Sequence, residues 1–142
     1  MPGHHSLVAS FEFSLPPSPG SASLARAELD RCLDGWGDDE ARDTVTLLLS
    51  ELVTNAVLHA RSEVTVNLDV EGGRLRVQVR DTSSEALVRR DPGADIPGGR
   101  GLQLLDMLAE NWGVSAAGAG KTVWFELWSP RSGQTPKAGR SG

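Results

Sequence analysis

The chain has 142 residues, enough for one domain and short for two ordinary ones, and at this size folding buries roughly two-thirds of the unfolded chain's surface. Its net charge of −5, from 19 acidic against 14 basic residues, excludes a general phosphate-backbone binder with a basic face, so no direct nucleic-acid contact is expected. Cys32 is the only cysteine, which excludes an intramolecular disulfide and a clustered Cys/His zinc site.

No apolar run approaches the ~20 residues needed to span a bilayer. The opening Met1-Pro2-Gly3-His4-His5 lacks the basic start and apolar stretch of a signal peptide. The expected compartment is the cytosol, away from membranes.

Taken in chain order, Leu7, Ala9, Phe11, Phe13 and Leu15 alternate with polar positions, the period of a half-buried strand that Pro16, Pro17 and Pro19 end. Ser21 is placed to cap a helix reaching about Leu33, with Leu24, Leu29, Cys32, Leu33 and Trp36 on its apolar side. Gly35 and Gly37 stop it. Asp38 and Asp39 open a long helix to about His59, whose residues Val45, Leu48, Leu49, Leu52, Val53 and Ala56 share one face.

Two alternating strands follow, one through Val64, Val66, Leu68 and Val70, the next through Leu75, Val77 and Val79, with Glu71-Gly72-Gly73 as a tight hairpin turn. A polar loop with Gly and Pro runs from Thr82 to Arg100. Leu102, Leu105 and Leu108 then suggest a short helix, Trp112 to Ala116 a strand, Gly118 and Gly120 a turn, and Val123, Phe125 and Leu127 the inward side of a last strand. Ser129 to Gly142 has no apolar period and reads as a disordered tail behind a domain covering 1–128. The order predicts helices packed on one face of a mainly antiparallel sheet.

Three features carry possible chemistry. Glu51 and Asn55 are four residues apart, so at about 100° per residue they sit about 40° from one another, at the edge of the helix's core stripe. An amide oxygen there suits Mg²⁺, and a carboxylate suits a proton acceptor; two solvated flank residues are the plain alternative. Asp81 continues the inward phase of Leu75, Val77 and Val79, so it needs donors to offset desolvation. An adenine amino group is one such donor and a backbone N–H of the next turn another. Gly98-Gly99-Arg100-Gly101-Leu102 precedes a predicted helix, where backbone N–H groups could meet an anion. It is not a P-loop, since Gly-x-x-x-x-Gly-Lys-Ser/Thr is absent. His59 reads as a C-terminal cation of the long helix, and Arg89 and Arg90 as solvated loop residues.

The order Glu51-x-x-x-Asn55, Asp81-x-Ser83, Gly99-x-Gly101-Leu102, Gly120-Lys121-Thr122-x-x-Phe125 resembles the GHKL ATPase superfamily. The stretch from Ser50 to Ala60 is most similar to its stand-alone anti-sigma-factor serine kinases. The resemblance implies a Bergerat fold, an α/β sandwich with a mainly antiparallel mixed sheet and helices on one face, binding ATP and Mg²⁺ under a lid from Ser84 to Pro97. It implies Glu51 as general base, Asn55 as the Mg²⁺ ligand and Asp81 as the adenine partner. It further implies Gly99, Gly101 and Leu102 at the phosphates and Thr122 near the base, with Ser83 and Arg100 also among the nucleotide-binding residues. The family usually has glycine where Ser83 stands, which bears on nucleotide affinity.

The function so implied is a protein serine/threonine kinase that phosphorylates a STAS-type anti-anti-sigma protein and binds a sigma factor, with a homodimer as its expected assembly. The alternative from another class is a nucleotide-binding interaction module that regulates a partner without phosphoryl transfer. A histidine kinase's catalytic domain is disfavoured by the short stretch before the long helix, and a gyrase- or Hsp90-like motor by the absence of further domains.

Overall fold

A computed structural model describes residues 8–59, 62–81, 101–117 and 120–129. In chain order the elements are β1 (Val8–Leu15), α1 (Ser21–Cys32), α2 (Asp39–His59), β2 (Val64–Glu71), β3 (Arg74–Asp81), α3 (Gly101–Leu108), β4 (Asn111–Ala117) and β5 (Gly120–Trp128). Each expected strand and helix is present, and the sequence's order of elements holds.

The strands form one sheet in the order β1-β2-β3-β5-β4, so the last strand inserts between β3 and β4. All four described pairings are antiparallel, where the expectation of a mixed sheet had left room for a parallel one. β2 and β3 are joined by a hairpin, where a short turn imposes antiparallel pairing, whereas β1 reaches its partner β2 only through α1 and α2. At the β2–β3 turn the two glycines answer different needs. Gly72 takes φ +61°, the left-handed region. A Cβ on Gly73 would lie 2.4 Å from the Ser129 carbonyl oxygen, so that position needs the absence of a side chain.

The helices cover one face of the sheet, α2 lying across β2, β3 and β5 with α1 and α3 against it. Leu48, Leu49 and Val53 of α2 meet Val66, Leu68, Val77 and Phe125 of the sheet in a core from which water is excluded. Period 3.6 on the helix and period 2 on the strands each give one apolar face, and burying both against one another is the main stabilising term.

The ends of α1 depart from expectation. Ser21 is the first helical residue and not the cap; it is fully buried, and its hydroxyl donates to the Pro16 carbonyl. Gly20 holds the cap position without a side-chain bond. Leu24, expected on the apolar side, is exposed because Ala25 and Leu29 define the buried stripe.

The start of α2 is fastened to the hairpin end of the sheet. The Ala41 N–H donates to Asp38 Oδ1 at 2.9 Å, a side-chain cap for the helix's unpaired donors. The buried Trp36 donates from Nε1 to the Gly73 carbonyl at 3.2 Å. Asp38 N–H donates to Ser129 Oγ at 3.3 Å, and Ser129 N–H to the Gly73 carbonyl at 2.8 Å. Ser129 is therefore part of the fold and not of a loose tail; residues 130–142 lie outside the described residues. No described helix is long and apolar enough to cross a membrane.

Candidate functional site

Asp81 is the last residue of β3. Alternation along the strand carries it to the helix-covered side after Leu75, Val77 and Val79, and it is 2% exposed. Its neighbours across the sheet are Val64 on β2 and Lys121 on β5. Lys121 Nζ stands 3.9 Å from Asp81 Oδ2, an ion pair too long for a direct hydrogen bond. A carboxylate removed from water needs such compensation, and the ammonium supplies part of it as charge.

The long helix brings the second pair of residues toward that end of the sheet. Its first turn is tied to the β2–β3 turn, the end opposite Asp81. At a rise of about 1.5 Å per residue, Asn55 lies about 24 Å along α2 from Asp39. β3 climbs at about 3.4 Å per residue, so Asp81 is about 27 Å from Gly73. Chain connectivity agrees, since α2 ends at His59 and β2 begins at Val64, directly opposite Asp81. Glu51 and Asn55 are half-buried and flank the buried Leu52, Val53 and Ala56. They sit at the edge of the core stripe, as their spacing implies, so both the core and the cleft side of α2 are within their reach.

Helix α3 begins at Gly101 and packs on α2. Leu105 is fully buried, and Leu102 is half-buried against the same core. The Leu102 side chain thus anchors the helix, and what it can offer an anion is its backbone N–H, one of the unpaired donors of the first turn. Trp112 Nε1 donates to Asp106 Oδ1 at 3.2 Å, holding the other end of α3 to β4. Ser83, Gly99, Arg100, Arg89, Arg90 and the expected lid from Ser84 to Pro97 lie outside the described residues.

Thr122 is not brought to Asp81. On β5, Val123, Phe125 and Leu127 point into the core, so Thr122 lies on the other face, in register with Arg80 and Ser115. The residue on Asp81's face is Lys121. The signal for this was in the sequence: the same alternation that turns Asp81 inward also selects 121 over 122.

That other face of the sheet carries its own polar cluster. Arg76 stacks 4.2 Å from the centroid of the Trp124 ring and pairs with Glu126 Oε2 at 3.0 Å. Asn111 Nδ2 donates to Glu126 Oε1 at 3.1 Å. Burial pushes the Glu126 carboxyl up, but the bonds from Arg76 and Asn111 and the charges of Arg74 and Arg76 outweigh it, leaving the group below its ordinary value.

Among the described residues no cluster of three or more His, Cys, Asp or Glu can hold a metal ion by itself. Asn55 carries a neutral amide oxygen, a donor type that a metal held mostly through phosphate and water can use.

The histidine kinase-like ATPase domain family matches residues 15–127. This chain belongs to that family. No curated protein matches it. Among solved structures, it is similar to the RsbU and RsbW domains of Rv1364c from Mycobacterium tuberculosis, with 20% identity, a TM-score of 0.66, and 84% of this chain covered against 32% of that one. It is also similar to the histidine kinase domain from Erythrobacter litoralis EL346 blue-light activated histidine kinase, with 25% identity, a TM-score of 0.51, and 76% of this chain covered against 59% of that one. The chain thus spans about a third of the first structure's length and three-fifths of the second's. Among its described residues this histidine kinase-like ATPase domain has a five-stranded antiparallel sheet and three helices, an α+β fold.

Proposed function

We propose that this domain binds Mg–ATP and works as an anti-sigma-factor-type protein serine kinase. The observation that carries the reading is Asp81, a carboxylate 2% exposed at the end of β3, on the sheet face covered by the helix that bears Glu51 and Asn55. A carboxylate buried on that face must be offset by charge or hydrogen bonds, and the amino group of a bound base supplies one beside the charge of Lys121.

In this reading Asp81 accepts from the exocyclic amino group of adenine. Asn55 offers its amide oxygen to Mg²⁺, which neutralises charge on the phosphates when bound. The first backbone N–H groups of α3, those of Gly101 and Leu102, receive the phosphates together with Gly99 and Arg100, which precede them in sequence, and Ser83 is a further nucleotide-binding residue. Glu51 takes the proton of a serine hydroxyl as its Oγ–P bond forms and the bond from the γ-phosphorus to its bridging oxygen breaks, releasing ADP. The protein's contribution is position and electrostatics, since the phosphoryl group asks little covalent chemistry of it. A STAS-type antagonist as the phosphorylated protein, a sigma factor as the held partner and a homodimer as the assembly complete the proposal.

The test is to incubate the purified protein with γ-labelled ATP, Mg²⁺ and candidate STAS proteins. Label on a STAS serine, lost in Glu51→Ala while ATP still binds, supports the kinase. Binding without transfer to any candidate would replace it with a nucleotide-binding regulatory module.

A further inference from the structure

We infer that Lys121 is a second base-reading residue, donating a hydrogen bond to adenine N1 while Asp81 accepts from the amino group beside it. The inference rests on the placement of nucleotide at Asp81 and adds a residue and a selectivity to that site.

Adenine presents on one edge a donor, the 6-amino group, next to an acceptor, N1. A carboxylate is only an acceptor and an ammonium only a donor. Asp81 and Lys121 are direct cross-strand partners, and both lie on the helix-covered face. Their charged atoms stand 3.9 Å apart, beyond a direct hydrogen bond, so the two groups attract without bonding one another directly, and a carboxylate's two oxygens offer about four acceptor positions. The arrangement sets an acceptor and a donor side by side, the complement of the adenine edge.

Among the described strand positions beside Asp81, no other side chain offers that donor. Val64, on the opposite side of Asp81, has no donor, and Thr122 faces the far side of the sheet. Lys121 keeps 18% of its side chain exposed, so its ammonium is not sealed into the core and can shift toward an entering base. A ligand bridging the pair retains the Asp81–Lys121 attraction. One that took Asp81 alone would have to separate the charges in a partly dry site.

The experiment compares ATP with its 1-deaza analogue, in which a C–H replaces N1, by equilibrium titration against wild type, Lys121→Met and Lys121→Arg. Wild type should prefer ATP by about tenfold or more, the scale of one charge-assisted hydrogen bond. Lys121→Met should lose that preference by weakening ATP alone, and Lys121→Arg should keep part of it. An equal preference in wild type and Lys121→Met overturns the inference while leaving the nucleotide site standing. Tighter binding of both nucleotides by Lys121→Met also overturns it, because Lys121 would then merely compete for Asp81. Failure of folded wild type to bind either nucleotide removes the site itself and the inference with it. Should Lys121→Met fail to fold, Lys121→Gln keeps a neutral donor and should show a preference between those of wild type and no donor; an undiminished one contradicts the charged contact.

Discussion

Trp124 lies directly over Gly113 on the face of the sheet that no helix covers. A Cβ on Gly113 would stand 2.7 Å from the indole nitrogen and within 2.9 Å of two ring carbons. The indole is rigid and held from its other side by Arg76. Gly113→Ala should therefore cost about 1–3 kcal/mol through overpacking. The check is the midpoint of urea unfolding followed by tryptophan fluorescence, which should fall with little change in slope.

The same cluster makes a pH prediction. The Glu126 carboxyl titrates below its ordinary value in the folded chain, so the unfolded chain binds its proton first as pH falls. The stabilisation is complete above the unfolded value, about 4.3 for glutamate. It is lost as pH drops through the lower folded value. Unfolding free energy measured from pH 6 downward should decline on this limb, and Glu126→Gln should flatten the decline.

How much of this was visible in the sequence depends on the range of the interaction involved. Alternation gave the inward phase of Asp81, and the 3.6 period gave the buried face of α2, because both are local patterns with one geometric solution. The insertion of β5 between β3 and β4 has no local signature; pairing partners are chosen by packing across the sheet. Ser21 shows the limit of residue preference: serine favours helix caps, but here its hydroxyl finds the Pro16 carbonyl and the residue enters the core. Lys121 is legible in the strand's period, which sets it and not Thr122 on the face of Asp81, whereas the family motif points to Thr122. The outward stack of Trp124 on Gly113 was not legible, since the turn suggests that β4 and β5 pair but not the register that sets these two residues opposite one another.

Asp38 ties the helix bearing the proposed site to the sheet. Its carboxylate accepts from the Ala41 N–H, and its own N–H reaches Ser129. Asp38→Ala removes the cap and should lower stability by about 1 kcal/mol. Thermal or urea unfolding measures this, and Asp38→Asn or Asp38→Ser should restore most of the loss.

Asp81→Asn separates a structural from a binding role. The amide keeps shape and one acceptor but leaves Lys121 without its counter-charge, so a loss of stability is expected along with the loss of ATP. ATP binding should fall by about tenfold or more, as expected when a charged acceptor is replaced by a neutral one. Circular dichroism on the same sample verifies that the variant is folded when the titration is run.

Mg²⁺-dependent binding of ATP by the unaltered chain is the property on which the proposed function depends most directly. Isothermal titration with ATP should give one saturable site with Mg²⁺ present and a much weaker one in EDTA, and Asn55→Ala should remove most of the difference. Folded wild type that shows no ATP binding in either buffer, or binding indifferent to both Mg²⁺ and Asn55, would contradict it.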